Sequence, residues 1–237
     1  MKKLSLITAA CLLGAATQAQ LIDDFSGNLS AYTATRILNN GNHSPVNTYA
    51  WEINNGAVRI NTTAYTGIEQ FALTRNDFAL GVGYELTASY SHLDLGSQDI
   101  GLYAGAGTPT QDVRANYVNV YVRNNGQIYS RGFDGTGELS LSGGSTPATI
   151  SSLFIARTAS NVYELGFYDG LTRNILTTRT IVNSSSIGDA IGFYADVRAA
   201  GARGVMDNLT LTAIPEPTTA GLLGLASLGL VFRLRRK

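Results

Sequence analysis

Val162-Tyr163-Glu164-Leu165-Gly166-Phe167-Tyr168, followed by Asp169-Gly170 and then by Leu171 to Thr178, is the stretch that decides the fold. Tyr163, Leu165 and Phe167 recur at every second position, so one side of an extended strand is apolar while Glu164 and Tyr168 point the other way. Asp-Gly accepts the positive φ angles of a tight turn, and the two flanking runs therefore pair as an antiparallel hairpin. The same signature recurs at Asn54-Asn55-Gly56, between Trp51-Glu52-Ile53 and Ala57 to Ile60, and at Asn124-Asn125-Gly126, between Tyr117 to Arg123 and Gln127 to Arg131. In Tyr84 to Ser91 the residues Tyr84, Leu86, Ala88 and Tyr90 share one side, and Glu85, Thr87, Ser89 and Ser91 the other, which predicts one core face and one wet face. Further strands are expected at Phe71 to Thr74, Tyr84 to Ser91, Ile100 to Ala104, Ile150 to Ala156, Ala190 to Ala195 and Met206 to Thr212. Roughly a dozen short strands, with no stretch of helical period and no internal repeat, predict an all-β, antiparallel two-sheet sandwich.

The two ends of the chain read differently. Met1-Lys2-Lys3, the apolar stretch Leu4 to Ala16 and the small residues up to Ala19 have the three parts of a secretory signal, with cleavage expected between Ala19 and Gln20. Cys11 is the one cysteine of the chain and falls inside that segment, so the exported form would have neither disulfides nor a thiol nucleophile. At the other end Pro215-Glu216-Pro217 leads into the apolar run Thr218 to Phe232, and Arg233, Leu234, Arg235, Arg236 and Lys237 close the chain. Fifteen helical residues would span about 22 Å against a hydrocarbon core of about 30 Å, a short transmembrane helix that snorkelling arginines and a thinned bilayer would accommodate. The terminal basic cluster should stay cytoplasmic, which leaves everything before Pro215 outside.

This arrangement over Ile214 to Lys237 resembles the PEP-CTERM sorting tail of exported proteins of Gram-negative bacteria. The resemblance implies that an exosortase, a membrane transpeptidase, cuts near the Pro215-Glu216-Pro217 triplet. The protein would then pass only transiently through the inner membrane on its way to the cell surface or an exopolysaccharide matrix. The expected organisation is a signal peptide at 1–19, a β-sandwich at 20–213 and a sorting tail at 214–237 with a membrane segment at 218–232. The middle region holds 194 residues, enough for one well-buried domain. It keeps 11 arginines against 16 acids and no lysine, and a net charge near −5 disfavours nucleic acid as a partner.

The opening Asp23-Asp24-Phe25-Ser26-Gly27 and the closing Ile191-Gly192-Phe193-Tyr194 and Met206-Asp207-Asn208-Leu209-Thr210-Leu211 resemble concanavalin A-like lectin and glucanase jelly rolls of the broad kind that includes laminin-G-type domains. That resemblance implies first and last strands lying side by side.

Chemistry is harder to place. Glucan-cutting enzymes of this fold set carboxylates at alternating positions of one strand, because acid and nucleophile must flank one glycosidic bond. Here Glu52, Glu69, Glu85, Glu138 and Glu164 are scattered one per segment. His43 and His92, the only histidines, read as surface residues, and a transition-metal site is not expected. Alternation in Tyr117 to Arg123 puts three valines in the core and Tyr117, Asn119, Tyr121 and Arg123 together on the outer face, with Tyr103, Tyr168 and Tyr194 outward on other strands. Aromatic rings stack on sugar CH faces while amide and guanidinium groups take hydroxyls, so Tyr117, Asn119, Tyr121, Arg123 and Tyr168 are the candidate glycan-binding set. Asp23, Asp24, Asp207 and Asn208 would supply oxygen ligands for a calcium ion if the terminal strands pair. The favoured reading is an exported β-sandwich that associates with polysaccharide or a cell-envelope matrix; the alternative is a glycan-active hydrolase or lyase.

Overall fold

The computed structural model describes residues 19–39, 51–60, 69–92, 98–131, 138–142, 146–181, 189–197 and 204–214, and Ala19–Ile214 packs as one compact unit. The expected signal segment before Ala19, His43, the Pro215-Glu216-Pro217 triplet and the 218–232 run lie outside the described residues. Among the described residues no helix is long and apolar enough to cross a membrane.

Among the described residues fifteen strands follow one another: β1 Ala19–Asp23, β2 Thr33–Asn39, β3 Trp51–Asn54, β4 Ala57–Ile60, β5 Glu69–Arg75, β6 Tyr84–His92, β7 Gln98–Gly105, β8 Val118–Val122, β9 Ile128–Arg131, β10 Glu138–Ser140, β11 Ser152–Ala159, β12 Val162–Asp169, β13 Thr172–Thr180, β14 Ala190–Val197 and β15 Gly204–Ala213. A four-residue helical turn, α1 Val113–Asn116, precedes β8. The strands form two antiparallel sheets, as expected. The first runs β13-β12-β11-β6-β15-β4-β3, with β1 also on β15; the second runs β10-β9-β8-β7-β14-β5-β2.

All three predicted hairpins are present, and their turns need the left-handed backbone that the sequence provides: φ is +53° at Asn55 and +77° at Gly56, +75° at Gly126, and +56° at Gly170. The core between the sheets draws Leu86, Ala88 and Tyr90 from β6, Val118, Val120 and Val122 from β8, and Tyr163, Leu165 and Phe167 from β12. Each fully buried apolar side chain of this size contributes about 1.5–3 kcal/mol, which in a domain without cysteine must carry the fold. Phe25 sets the start of the chain edge-on against Phe193 at 5.6 Å.

First and last strands do lie side by side. Ala19 faces Thr212 and Leu21 faces Thr210, and the Ile214 N–H donates to the Gly83 carbonyl at 2.7 Å. Both ends of the described chain therefore leave the sandwich at one end of the first sheet. Alternation holds along β6, but at that end the expected exposures do not: Tyr84 projects past the core and is 42 % exposed, whereas Glu85, on the outward face, is covered and only 6 % exposed.

Candidate functional site

The outward face of the second sheet was expected to present tyrosines to solvent, and it does not. Alternation is obeyed, with the β8 valines in the central core and Tyr117, Asn119 and Tyr121 on the opposite side. That side is covered. Tyr103, Tyr117, Tyr121 and Tyr194 pack with Val113 and Ala72 in a second buried cluster beneath α1. Tyr117 is 4 % exposed, and Asn119 and Tyr121 are wholly buried. The cover is fastened from below. The Asn119 amide donates to the carbonyls of Val113, Arg114 and Tyr117 at 3.3, 3.2 and 2.6 Å and to that of Arg131 at 3.1 Å, while its oxygen accepts from the Arg131 N–H at 3.2 Å. Gly105 lies directly beneath the Tyr117 ring, and a Cβ there would overlap it.

Charge fastens the cover as well. The Asp112 carboxylate accepts from the Arg114 N–H at 2.9 Å and caps α1. The buried Arg114 guanidinium reaches 2.7 Å from Asp196 Oδ2, whose side chain is 0 % exposed. Burial works against the Arg114 charge, but Tyr194, Asp196 and Asp112 outweigh it and hold the group above its ordinary range. Asp99 stands opposite Asp196 in the β7–β14 register and pairs with Arg123 at 3.5 Å, and Arg123, half-buried, rests on the Tyr129 ring. Burial raises the Tyr194 and Tyr103 phenols. A sugar cannot stack on rings already packed on both sides, so Tyr117, Asn119 and Tyr121 stabilise the fold rather than forming a surface.

Tyr168 belongs to a separate cluster on the outward face of the first sheet. Its hydroxyl donates to Glu85 Oε1 at 2.7 Å, and Arg173 bridges two carboxylates, with Nε 2.7 Å from Glu85 Oε2 and Nη2 2.9 Å from Glu164 Oε2. Ala156 of β11 explains the arrangement, because it faces Glu85 on one neighbour and Glu164 on the other. The guanidinium lies 4.2 Å from the centre of the Phe154 ring. Burial, then the hydrogen bond to Glu85, pushes the Tyr168 phenol up to about 12. Glu85, Glu164 and Arg173 were not linked by the sequence reading. Two of them point outward by alternation, but only the strand order β12-β11-β6 brings them together.

The calcium candidates stay apart in function even though their strands pair. Asp23 accepts from the Phe25 N–H at 2.7 Å and sits 3.9 Å from Arg75, and Asp24 accepts from the Ser26 N–H at 3.1 Å. Asp207 accepts from both the N–H and the side-chain amide of Asn208, at 2.6 and 2.9 Å, across a bulge in β15. Among the described residues no three acidic, histidine or cysteine side chains gather to hold a metal. Ala19 and Gln20, the expected cleavage pair, are the exposed first residues of β1.

An open groove of about 260 Å³ lies between the end of β6 and the β8–β9 turn. Tyr90, Val122, Pro147 and Ile150 give it an apolar floor, and His92, Asn125 and Thr146 stand at its rim. The Tyr90 hydroxyl and His92 Nδ1 are hydrogen-bonded at 2.9 Å, and burial pushes the Tyr90 phenol up to about 12, so it stays a neutral O–H at neutral pH. Sequence reading singled out His92 only as a surface residue, and its partner Tyr90 only as core. The loop 146–150 that completes the groove has no periodic signal.

Two antiparallel sheets of this topology, with adjoining terminal strands, define a β-sandwich of the jelly-roll kind. Solved structures agree on the fold: the chain is similar to the VIP36 exoplasmic/lumenal domain in its Ca2+-bound form, with 9% identity and a TM-score of 0.52 over 85% of this chain and 92% of that one. It is similar also to the Ca2+/Man2-bound form of that domain, with 10% identity and a TM-score of 0.51 over 85% and 89%. No curated protein matches the chain by sequence. Residues 213–237 match the PEP-CTERM protein-sorting motif, which marks an exported, membrane-transiting protein processed by an exosortase and sorted to the cell surface.

Proposed function

We propose that this is a cell-surface or extracellular-matrix β-sandwich of a Gram-negative bacterium that is delivered by its sorting tail and associates with exopolysaccharide. A signal peptide cleaved between Ala19 and Gln20 and a short membrane segment at 218–232 are part of this reading. The observation that carries the binding role is the groove at Tyr90 and His92. A floor of one aromatic and three aliphatic residues suits the CH face of a pyranose, and His92, Asn125 and Thr146 at the rim supply hydrogen-bonding groups for its hydroxyls. Its volume falls below the roughly 300–1,000 Å³ of pockets for drug-sized ligands, which fits one sugar unit of a chain. Such single-unit binding is weak, with Kd on the order of 1 mM, and a polymer held at many copies multiplies it. The fold relatives are consistent with this role, since one was solved with Man2 bound.

The test is a polysaccharide array probed with residues 19–214, beside His92→Ala and Asn125→Ala. Retention on at least one exopolysaccharide, lost in both variants, is expected; no retention anywhere refutes the binding role. Tyr117→Ala and Tyr121→Ala are unsuitable controls because both rings are buried. A second reading, a glycan-active hydrolase or lyase, draws on Glu85, Glu164 and Tyr168 meeting on one face. Release of reducing ends from exopolysaccharide, abolished by Glu164→Gln, would establish it.

A further inference from the structure

Five large apolar side chains are prominently exposed among the described residues, and three of them, Leu21, Val82 and Tyr84, lie toward one end of the first sheet. Ala19 and Ile214, the two ends of the described chain, lie at that same end. Tyr84 faces Ala213 in the β6–β15 register, and Gly83, between Val82 and Tyr84, accepts the hydrogen bond from Ile214. Leu21 is two residues along β1 from Ala19, the first residue of that strand.

We propose that this end of the sandwich is a membrane-docking surface, seated on the lipid interface that the 218–232 segment enters. The proposal rests on the reading of 218–232 as inserting into a bilayer. Chain length then decides the geometry. From Ile214 to Thr218 there are four peptide steps, which fully extended reach at most about 14 Å. The head-group layer alone is roughly 5–8 Å thick on each side of the hydrocarbon. Residues hydrogen-bonded to Ile214 therefore stay within reach of the interface, and Val82 and Tyr84 are the side chains that meet it first.

Their chemistry suits the place. Tyrosine has an apolar ring and a wet hydroxyl and is favoured at head-group level, and Val82 at 52 % and Leu21 at 54 % exposure would otherwise sit in water. The loop that presents them is fixed. Gly83 N–H donates to the Arg157 carbonyl at 2.7 Å, and the Arg157 guanidinium donates to the carbonyls of Leu80 and Ser160 at 3.1 and 2.6 Å. Arg157 faces Tyr84 across the β11–β6 register, and its guanidinium lies 5.6 Å from the centre of the Tyr163 ring.

The full-length protein in phosphatidylcholine vesicles carrying head-group-proximal bromines tests this directly. Tyr84→Trp and Leu171→Trp variants place an indole at the two ends of the first sheet, while the native Trp51 is buried and gives a constant background. Leu171 is fully exposed beyond the far end of β12, about 20 Å from the Tyr84 end. Emission from the indole of Tyr84→Trp should fall about twofold and shift to the blue, with Leu171→Trp unchanged. Protein that floats with the vesicles while both indoles stay unquenched refutes the lipid surface in favour of a protein occupant. Protein that does not float at all refutes the inserted tail, and the docking surface with it.

Discussion

Replacing Arg114 by methionine should unfold much of the advantage of the closed second-sheet face. Arg114 and Asp196 are 5 % and 0 % exposed at 2.7 Å separation, so removing the guanidinium strands a carboxylate inside the protein. Breaking a buried pair by deleting one partner costs about 3–5 kcal/mol, against a total stability of roughly 5–15 kcal/mol for a domain. Melting should accordingly fall by roughly 6–20 °C for a unit of this size. The assay is urea unfolding of residues 19–214, followed by tyrosine and tryptophan fluorescence, with the double variant Arg114→Met/Asp196→Leu beside it. Because the double variant removes both charges and keeps apolar volume, it should recover most of the loss. A single variant within about 0.5 kcal/mol of the parent would mean that α1 does not lie pinned on the sheet, and the buried status of the tyrosine face would fall with it.

Glu85→Gln should cost about 1.5–3 kcal/mol, because Glu85 accepts charged hydrogen bonds from Tyr168 and Arg173 at 2.7 Å each, and the same unfolding curves read the change. Alkaline conditions should also destabilise the domain. Burial pushes Tyr90 and Tyr168 up to about 12, and raises Tyr103, Tyr117, Tyr163 and Tyr194 as well. In the unfolded chain these phenols ionise near 10, so above that pH the unfolded state binds fewer protons than the native one and stability declines. Melting temperature should stay flat from pH 7 to about 9.5 and drop from pH 10 to 12; a flat profile through pH 11 would contradict the buried phenols.

Much of the fold is legible because it is local. Alternation and turn chemistry identify a strand and the side that faces the core, and Asn55-Gly56, Gly126 and Gly170 adopt the backbone that those dipeptides favour. What alternation cannot report is what lies on the second side. Val118, Val120 and Val122 were assigned correctly, but whether Tyr121 meets water depends on the chain from Gly105 to Tyr117 folding back over it, a decision made by Asn119 and Arg114 through contacts of five to eighty-two residues' separation. The Glu85, Glu164 and Arg173 cluster was illegible for the same reason, since it needs strand order. The groove at Tyr90 needs the 146–150 loop brought beside the Asn125 turn, where the Thr146 hydroxyl donates to the Asn125 carbonyl at 2.9 Å.

A domain that is exported without cysteine or lysine must find another way to tie distant strands, and its arginines do so. Arg75 lies between the rings of Tyr32 and Phe78 at 5.1 and 4.9 Å while holding Asp77 through two bonds of 2.7 Å. Arg123 rests on Tyr129, Arg157 on Tyr163 and Arg173 on Phe154, each also reaching a carboxylate or carbonyl. A planar guanidinium can stack and donate at once, which a lysine ammonium cannot, so composition and architecture have the same cause. Each such contact is worth about 0.5–2 kcal/mol, less than the 2–5 kcal/mol of a disulfide in a small secreted domain, but the five of them, made by four arginines, are spread over both sheets. The consequence is a sandwich whose cross-links are electrostatic and aromatic.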